Sequence, residues 1–244
     1  SKLKYFQLIL ILGSLTALGP FSIDMYLPGF SGIAEDLNTT VAKVSMTLSS
    51  YFIGISAGQL LYGPLLDRFG RKKPLFIGLL VYILASLGCA FVGDIDTFIG
   101  LRFIQAVGSC AATVAAIAMV RDLFPVKEIP KVLSLLMLVV GLSPMLAPTI
   151  GGYVTAAYGW HVVFLILMGI GIVVLLAAHF GLPHTHEPDT SISLKPKPII
   201  LNFWSVMREP QFYTYAFTGA IAFSGLFTYV AASPILFMDV FKVD

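Results

Sequence analysis

Two ionisable residues, Asp24 and Arg102, interrupt long apolar stretches and have the clearest potential for chemistry in this sequence. A charge at the middle of a bilayer costs about 2.5–3.5 kcal/mol on insertion scales, so such residues usually face a cavity and serve a function. Burial favours the protonated carboxyl group, whereas a nearby guanidinium favours the carboxylate. If water access or a bound molecule shifts this balance, Asp24 can load and unload a proton. The alternatives are a structural ion pair, or a charge that merely reaches the membrane interface.

The apolar stretches that hold these residues have the length of membrane-spanning helices. Hydrophobic residues make up 57% of the chain and charged residues 11%, and the mean hydropathy is +0.90. A soluble domain carries about 25% charged residues. A helix needs about 20 apolar residues to cross the bilayer. Within lipid, a single segment can satisfy all of its backbone hydrogen bonds only as a helix. Spans are predicted at residues 5–32, 44–66, 74–93, 97–120, 131–153, 160–181 and 211–236.

The distribution of basic residues predicts that the N-terminus is cytoplasmic. With that orientation, twelve Lys and Arg residues fall in inner segments and two, Lys43 and Lys242, in outer ones. Such a bias is typical of the inner face of a membrane protein. Because these residues are spread along one membrane face and form no patch, we expect no nucleic-acid partner.

In this orientation Asp24 and Arg102 share the outer half of the membrane. Asp24 lies about 28 Å along a straight helix from the inner start of its span, and Pro20 is expected to bend that helix. Arg102 lies about 8 Å below the outer end of its span. A direct or water-bridged pair is therefore geometrically possible.

Polar side chains form a stripe on each of two spans. Gln105, Ser109 and Thr113 follow Arg102 at helical spacing. The stripe on the second span consists of Ser49, Ser56, Gln59 and Gly63. Either stripe could line a polar cavity or form interhelical hydrogen bonds, and the sequence favours neither.

The loop between the second and third spans reads GPLLDRFGRKK from Gly63 to Lys73. It resembles the signature loop of the major facilitator superfamily, which has the pattern G-x-L-x-D-R-x-G-R-[KR]. In that family the loop stabilises the outward-open state through contacts at the inner face. By resemblance, the arginine at the inner end of the fourth span is the partner of the loop aspartate. The gating residues so implied are Gly63, Asp67, Arg68, Gly70, Arg71 and Arg121.

Three further segments resemble the same family. Leu101–Gly108 is similar to the fourth-helix motif, whose arginine is implicated in proton coupling, and implies that role for Arg102. Residues 19–28 are similar to the first-helix signature of the bicyclomycin and chloramphenicol resistance branch, whose aspartate is the proton site. The fifth span resembles the antiporter motif G-P-x-x-G-G, with Ala147 in place of its first glycine. The motif residues are Pro144, Pro148, Gly151 and Gly152, and the two glycines are expected to let a neighbouring helix pack closely.

The resemblance implies an all-α membrane protein with the major facilitator fold. We expect an N-terminal six-helix bundle over residues 1–182, a cytoplasmic linker over 183–210 and the first helix of an incomplete C-terminal bundle over 211–244. A short interfacial helix is expected over Ile199–Met207 in that linker. The chain is thus interpreted as a fragment of a twelve-helix transporter.

The function implied is proton-coupled antiport that exports drugs or small amphipathic molecules across the bacterial inner membrane. No enzyme activity, cofactor or metal is expected, since transport uses the proton gradient. His184 and His186 are interpreted as loop histidines. A monomer in the lipid bilayer is expected for the full-length protein. Candidate substrate contacts are Phe21, Tyr26, Gln105 and Met119.

Two other hypotheses remain. Seven predicted helices also suit a membrane receptor or photosensor, but such receptors place the N-terminus outside, and the seventh span has no lysine for a retinal Schiff base. The chain could also be an assembly unit whose missing half is a separate polypeptide.

Overall fold

The computed structural model describes residues 2–183, 188–189, 191 and 196–235, and the regular structure within these residues is helical. The elements are α1 Lys2–Asp24, a 3-10 turn Leu27–Gly29, α2 Phe30–Asp36, α3 Val41–Phe69, α4 Lys72–Ala90, α5 Ile95–Leu123, α6 Ile129–Tyr158, α7 Trp160–Gly181, α8 Pro196–Met207 and α9 Pro210–Ile235.

Six membrane-spanning segments are confirmed in the part of the chain that the structure describes. Each is long and apolar enough to cross a bilayer, and the first runs from Leu3 to Asp36 across the 3-10 turn. The helices extend most predicted spans by a few residues at each end. The predicted seventh span is helical over Pro210–Ile235, and its membrane crossing stays a prediction.

The first span is interrupted later than the sequence suggested. Pro20 lies inside α1, which continues to Asp24. The interruption falls at the 3-10 turn that contains Pro28. Proline disfavours helical geometry in the residue before it, here Leu27, so the chain leaves the α-helix at that point. Asp24 is consequently the last residue of an α-helix next to an irregular turn.

Helix α5 is the most buried of the six spans and contacts α1, α3, α4 and α6. Small residues permit this packing. A Cβ on Gly54 would lie 2.7 Å from the Cβ of Ala106, and one on Gly58 would lie 2.7 Å from the Cβ of Cys110. The G-x-x-x-G pair on α3 therefore serves close helix approach within the bundle.

The ends of several helices on the predicted outer side are fixed by polar side chains. Asp94 caps α5, because its carboxylate accepts a hydrogen bond from the Thr97 N–H at 2.8 Å. Lys43 pairs with Asp96 at 3.0 Å and thereby links the starts of α3 and α5.

The chain divides into two compact units, Ser1–Ile192 and Ser193–Asp244. The first contains the six spans, and the second contains α8 and α9. Helix α8 confirms the short helix expected in the linker, with Phe203 and Trp204 exposed on it. His184 and His186 lie outside the described residues. The same holds for residues 185, 187, 190 and 192–195 of the predicted linker, and for residues 236–244 at the end of the predicted last segment. The predicted boundaries at 182 and 210 stay a prediction.

Candidate functional site

Arg102 on α5 is fully buried and bonds to the end of the first span. Its Nη1 donates to Gln105 Oε1 at 2.6 Å, and its Nη2 donates to the backbone carbonyl of Ser22 on α1 at 3.0 Å. The side chain has 0% exposure. No carboxylate among the described residues lies within ion-pair distance of it. The guanidinium is therefore held by neutral oxygens.

Aromatic rings surround the same guanidinium. Its central carbon lies 4.2 Å from the ring centre of Tyr26, 4.3 Å from that of Tyr51 and 5.7 Å from that of Phe164. A desolvated cation over an aromatic face gains about 2 kcal/mol or more. These rings, which come from the turn after α1, from α3 and from α7, partly offset the cost of burying the charge. We call Tyr26, Tyr51 and Phe164 the aromatic cage.

A network of hydrogen bonds connects the cage and Arg102 to the neighbouring helices. Gln105 Nε2 donates to Ser86 Oγ at 2.8 Å on α4. The hydroxyls of Ser22 and Tyr82 lie 2.8 Å apart, those of Tyr51 and Ser109 2.8 Å, and those of Tyr26 and Thr47 2.9 Å. Such satisfied buried networks fix side-chain positions. In contrast, Arg102 Nε has no hydrogen-bond partner among the described residues.

The two polar stripes behave differently. Gln105 and Ser109 on α5 are buried and bond to neighbouring helices, so they serve interhelical hydrogen bonding. Ser49, Ser56 and Gln59 on α3 are exposed. Ser56 donates only to the Phe52 carbonyl of its own helix. The stripe on α3 therefore contributes no interhelical bond within the described bundle, and its role in lining a cavity stays a prediction.

Asp24 is buried but has no pairing partner in the part of the chain that the structure describes. Its exposure is 8%, and neither a hydrogen bond nor an ion pair reaches its carboxylate. A direct pair with Arg102, which the sequence made possible, is not formed. Arg102 instead bonds the carbonyl of Ser22. The physical reason is the position of the two residues around the helix axis. Asp24 lies two positions after Ser22, which places it about 200° further around α1.

The loop between α3 and α4 is tied to the C-terminal end of α5 by Arg71. Its Nη1 donates to Asp67 at 2.5 Å and its Nε to Asp122 at 2.9 Å. Burial lowers the pKa of Arg71, but the hydrogen bonds to Asp122 and Asp67 raise it more, so that it stays above its ordinary value. Gly70 ends α3 with φ +78°, a region that favours glycine.

One expectation for this loop, the pairing of Arg121 with the loop aspartate, is not met in the described structure. The α5 residue that the loop contacts is Asp122, not Arg121, which is exposed and forms no ion pair in the described structure. Successive helical residues are separated by about 100°, so only one of the two can face the loop. A Cβ on Gly63 would meet no atom within 4 Å, so no described helix approaches it closely. Arg68 stacks on the Phe69 ring at 5.7 Å.

The fifth-span motif packs against the turn that follows Asp24. A Cβ on Gly151 would lie 1.8 Å from the backbone oxygen of Met25, whereas one on Gly152 would lie 3.9 Å from Pro28. Pro144 and Pro148 lie inside α6 and each removes a backbone hydrogen bond. The expected close approach is thus confirmed at Gly151, and it places α6 against the end of the helix that holds Asp24.

The four candidate substrate contacts do not share one cavity in the described structure. Tyr26 and Gln105 are buried around Arg102, and Met119 is buried in the apolar core. Phe21 lines a groove between α1 and α7. Their role in substrate binding stays a prediction.

Sequence reasoning missed several residues around Arg102, namely Tyr51, Tyr82, Ser86 and Phe164. Tyr51 carries a signal, since it lies on the same helical face as Gly54 and Gly58 and therefore faces α5. For Ser86 and Phe164 the sequence offers no comparable signal.

Apolar helices of spanning length, a buried arginine and a charged loop between α3 and α4 define a multi-pass membrane protein. A family model described as Major Facilitator Superfamily matches residues 12–244. The chain belongs to the Major Facilitator Superfamily.

Three relatives have names that refer to drug resistance. The chain is 36% identical over 238 residues to a bicyclomycin resistance protein homolog of Haemophilus influenzae, covering 98% of this chain and 60% of that protein. It is 32% identical to a chloramphenicol resistance protein of Pseudomonas aeruginosa, covering 94% and 54%. It is also 32% identical to the multidrug resistance protein MdtL of Citrobacter koseri, covering 95% and 58%. The chain thus spans 54% to 60% of the length of these relatives.

Proposed function

We propose that this chain is part of a proton-coupled antiporter that exports drugs or small amphipathic molecules across the bacterial inner membrane, with its N-terminus in the cytoplasm. The activity is transport and not catalysis, no cofactor is needed beyond the proton gradient, and the complete protein acts as a monomer without nucleic acid. The family and the drug-resistance names of three relatives support this proposal.

The observation that carries the proposal is the buried, unpartnered carboxylate of Asp24. A charged carboxylate at this depth is costly, and uptake of a proton removes that charge. Arg102 lies near the same helix end, but its guanidinium donates hydrogen bonds to the neutral oxygens of Gln105 and Ser22. Asp24 is therefore free to change its protonation without breaking an ion pair, as a proton carrier requires.

Arg102 is the second element of the proposed coupling. Its bond to the Ser22 carbonyl links α5 to the end of α1, so displacement of one helix end is transmitted to the other. Gly151 of α6 contacts the turn immediately after Asp24. Movement of any of these three helices would change water access to the carboxylate.

The loop residues Asp67 and Arg71, together with Asp122, form the proposed inner gate. Arg71 ties the inner ends of α3, α4 and α5 into one unit. A unit that moves as a whole suits alternating access, in which bundles rock as nearly rigid bodies. No observation favours a receptor or photosensor.

The test is export by the complete protein in proteoliposomes with an imposed pH gradient. We expect Asp24→Asn to abolish gradient-driven export of a drug such as chloramphenicol. Asp96→Asn is the matched control, because Asp96 is an exposed acid outside the apolar core and is expected to be dispensable. Undiminished export by Asp24→Asn would refute the proton-site assignment.

A further inference from the structure

A groove runs along the seam between α1 and α7. Its wider part has a volume of about 440 Å³ and is lined by residues that include Ser14, Ala17, Phe21, Gly169, Ile170 and Val173. A second hollow, of about 340 Å³, lies on the same two helices nearer the start of α1 and the end of α7, where Gln7, Leu10 and Phe180 line it. From Gln7 to Phe21 the seam is about 21 Å long along the helix axis.

The two helices touch at one end of the seam and separate at the other. A Cβ on Gly181 would lie 2.2 Å from Cδ1 of Ile11, so the helices are in contact there. A Cβ on Gly169 would meet no atom within 4 Å. The seam therefore opens toward the middle of the membrane, and it offers room for a slender molecule.

The wider part of the groove is apolar and lacks a free polar group. Ser14 is its one polar lining side chain, and its hydroxyl already donates to the Leu10 carbonyl at 2.8 Å. Drug-sized ligands are usually oriented by a few placed polar groups. Nothing in this part of the groove could orient such a ligand, whereas a hydrocarbon chain needs only apolar contact.

The end of the seam near Gln7 is polar and positively charged. Gln7 is exposed, and Lys4, one turn earlier, is exposed as well. A basic residue at the membrane surface attracts the anionic headgroups of lipids. One leaflet of hydrocarbon is about 15 Å thick, so a chain that starts at this surface reaches well into the groove.

We propose that the α1–α7 groove binds one acyl chain of an anionic phospholipid whose headgroup lies beside Lys4. The leaflet is the cytoplasmic one if the N-terminus has the orientation proposed above. The site does not depend on proton transfer, because Asp24 is not among the groove residues.

The test uses the complete protein in liposomes that contain phosphatidylglycerol with a diazirine in its acyl chain. After illumination, adducts are mapped by mass spectrometry of peptides. We expect several-fold more adducts on residues 7–21 and 169–181 than around Leu80 and Leu84 of α4, which are 52% and 65% exposed. Adducts that simply follow side-chain exposure would overturn the proposal.

Two glycine variants provide the matched comparison. Gly169→Phe fills the open part of the groove and is expected to reduce its adducts several-fold while those on α4 persist. Gly100→Phe changes another glycine whose Cβ would meet no atom within 4 Å, and it is expected to leave the adducts on both the groove and α4 unchanged. Unchanged groove adducts in Gly169→Phe would contradict the proposal.

If the α1–α7 groove holds something other than a lipid chain, the cross-linking experiment gives a different result. Displacement of the adducts by chloramphenicol would identify a cargo path instead of a lipid site. Cross-links from the groove to segments after residue 192, in place of lipid adducts, would show that protein covers it. Asp24→Asn is expected to retain the lipid adducts, so failure of the antiport proposal and failure of the lipid proposal are distinguishable.

Discussion

At the scale of single residues, Arg102 combines full burial with the absence of a carboxylate partner among the described residues. An isolated buried cation is costly unless hydrogen bonds and π-systems compensate. Gln105, the Ser22 carbonyl and the aromatic cage supply that compensation. The arrangement keeps the guanidinium charged while leaving Asp24 unpaired.

Tyr51 allows the contribution of the cage to be measured. Tyr51→Phe keeps the ring over Arg102 and loses the hydrogen bond to Ser109, which costs about 1 kcal/mol. Tyr51→Leu loses both, and the cation–π contact adds about 2 kcal/mol. We therefore expect a clearly larger drop in the free energy of unfolding of the complete protein for Tyr51→Leu. Equal drops would show that the ring does not stabilise the guanidinium.

Asp94 predicts a dependence of stability on pH. The hydrogen bond from the Thr97 backbone N–H is the main cause that lowers the pKa of Asp94 below its ordinary value. A lowered folded-state pKa stabilises the protein above the unfolded-state pKa, about 3.9, and this stabilisation is lost as the pH falls through the folded-state pKa. We expect Asp94→Ala to lower the thermal midpoint at pH 7, and the difference from the wild type to shrink below about pH 4. A difference that is constant from pH 7 to pH 3 would contradict this account.

At the scale of helices, glycines decide how closely α5 packs. A Cβ on Gly108 would lie 2.5 Å from the backbone nitrogen of Tyr82, and backbone cannot yield easily. Gly108→Ala is expected to cost about 1–3 kcal/mol through overpacking. Gly100→Ala in the same helix meets nothing and should be neutral or stabilising. Thermal unfolding of the two variants distinguishes these cases, and equal midpoints would refute the packing argument.

The neighbouring residues Arg121 and Asp122 provide a test of the contact between the α3–α4 loop and α5. Asp122→Asn removes the charge that Arg71 contacts at 2.9 Å, whereas Arg121→Gln alters an exposed side chain that makes no ion pair in the described structure. We expect several-fold faster hydrogen exchange in residues 67–73 for Asp122→Asn alone. Faster exchange in Arg121→Gln but not in Asp122→Asn would restore the pairing that the family resemblance implied.

At the scale of the whole molecule, the sequence predicted the six spans because lipid imposes both their length and their helical form. It also predicted the loop that carries Asp67 and Arg71 and the close approach at Gly151. It did not reveal the aromatic cage, because Tyr26, Tyr51 and Phe164 come from three separate segments. The similar membrane depths of Asp24 and Arg102 suggested that the two could pair. Depth does not fix the direction in which a side chain leaves its helix, and in the structure no direct pair forms.

The exposed polar stripe on α3 is a property of the molecule as a whole. Ser49, Ser56 and Gln59 are exposed on a membrane helix and make no interhelical hydrogen bond in the described bundle. Lipid is a poor environment for such groups. The chain spans about 60% of the length of one relative, and that the stripe lines a cavity in the complete protein stays a prediction.

Drug-induced proton release by the complete protein, measured in weakly buffered detergent solution, tests the central claim most directly. If Asp24 carries the coupled proton, addition of a transported drug acidifies the solution for the wild type and for Asp96→Asn, and causes no change for Asp24→Asn. Equal acidification by Asp24→Asn and the wild type would show that the proton resides on another group.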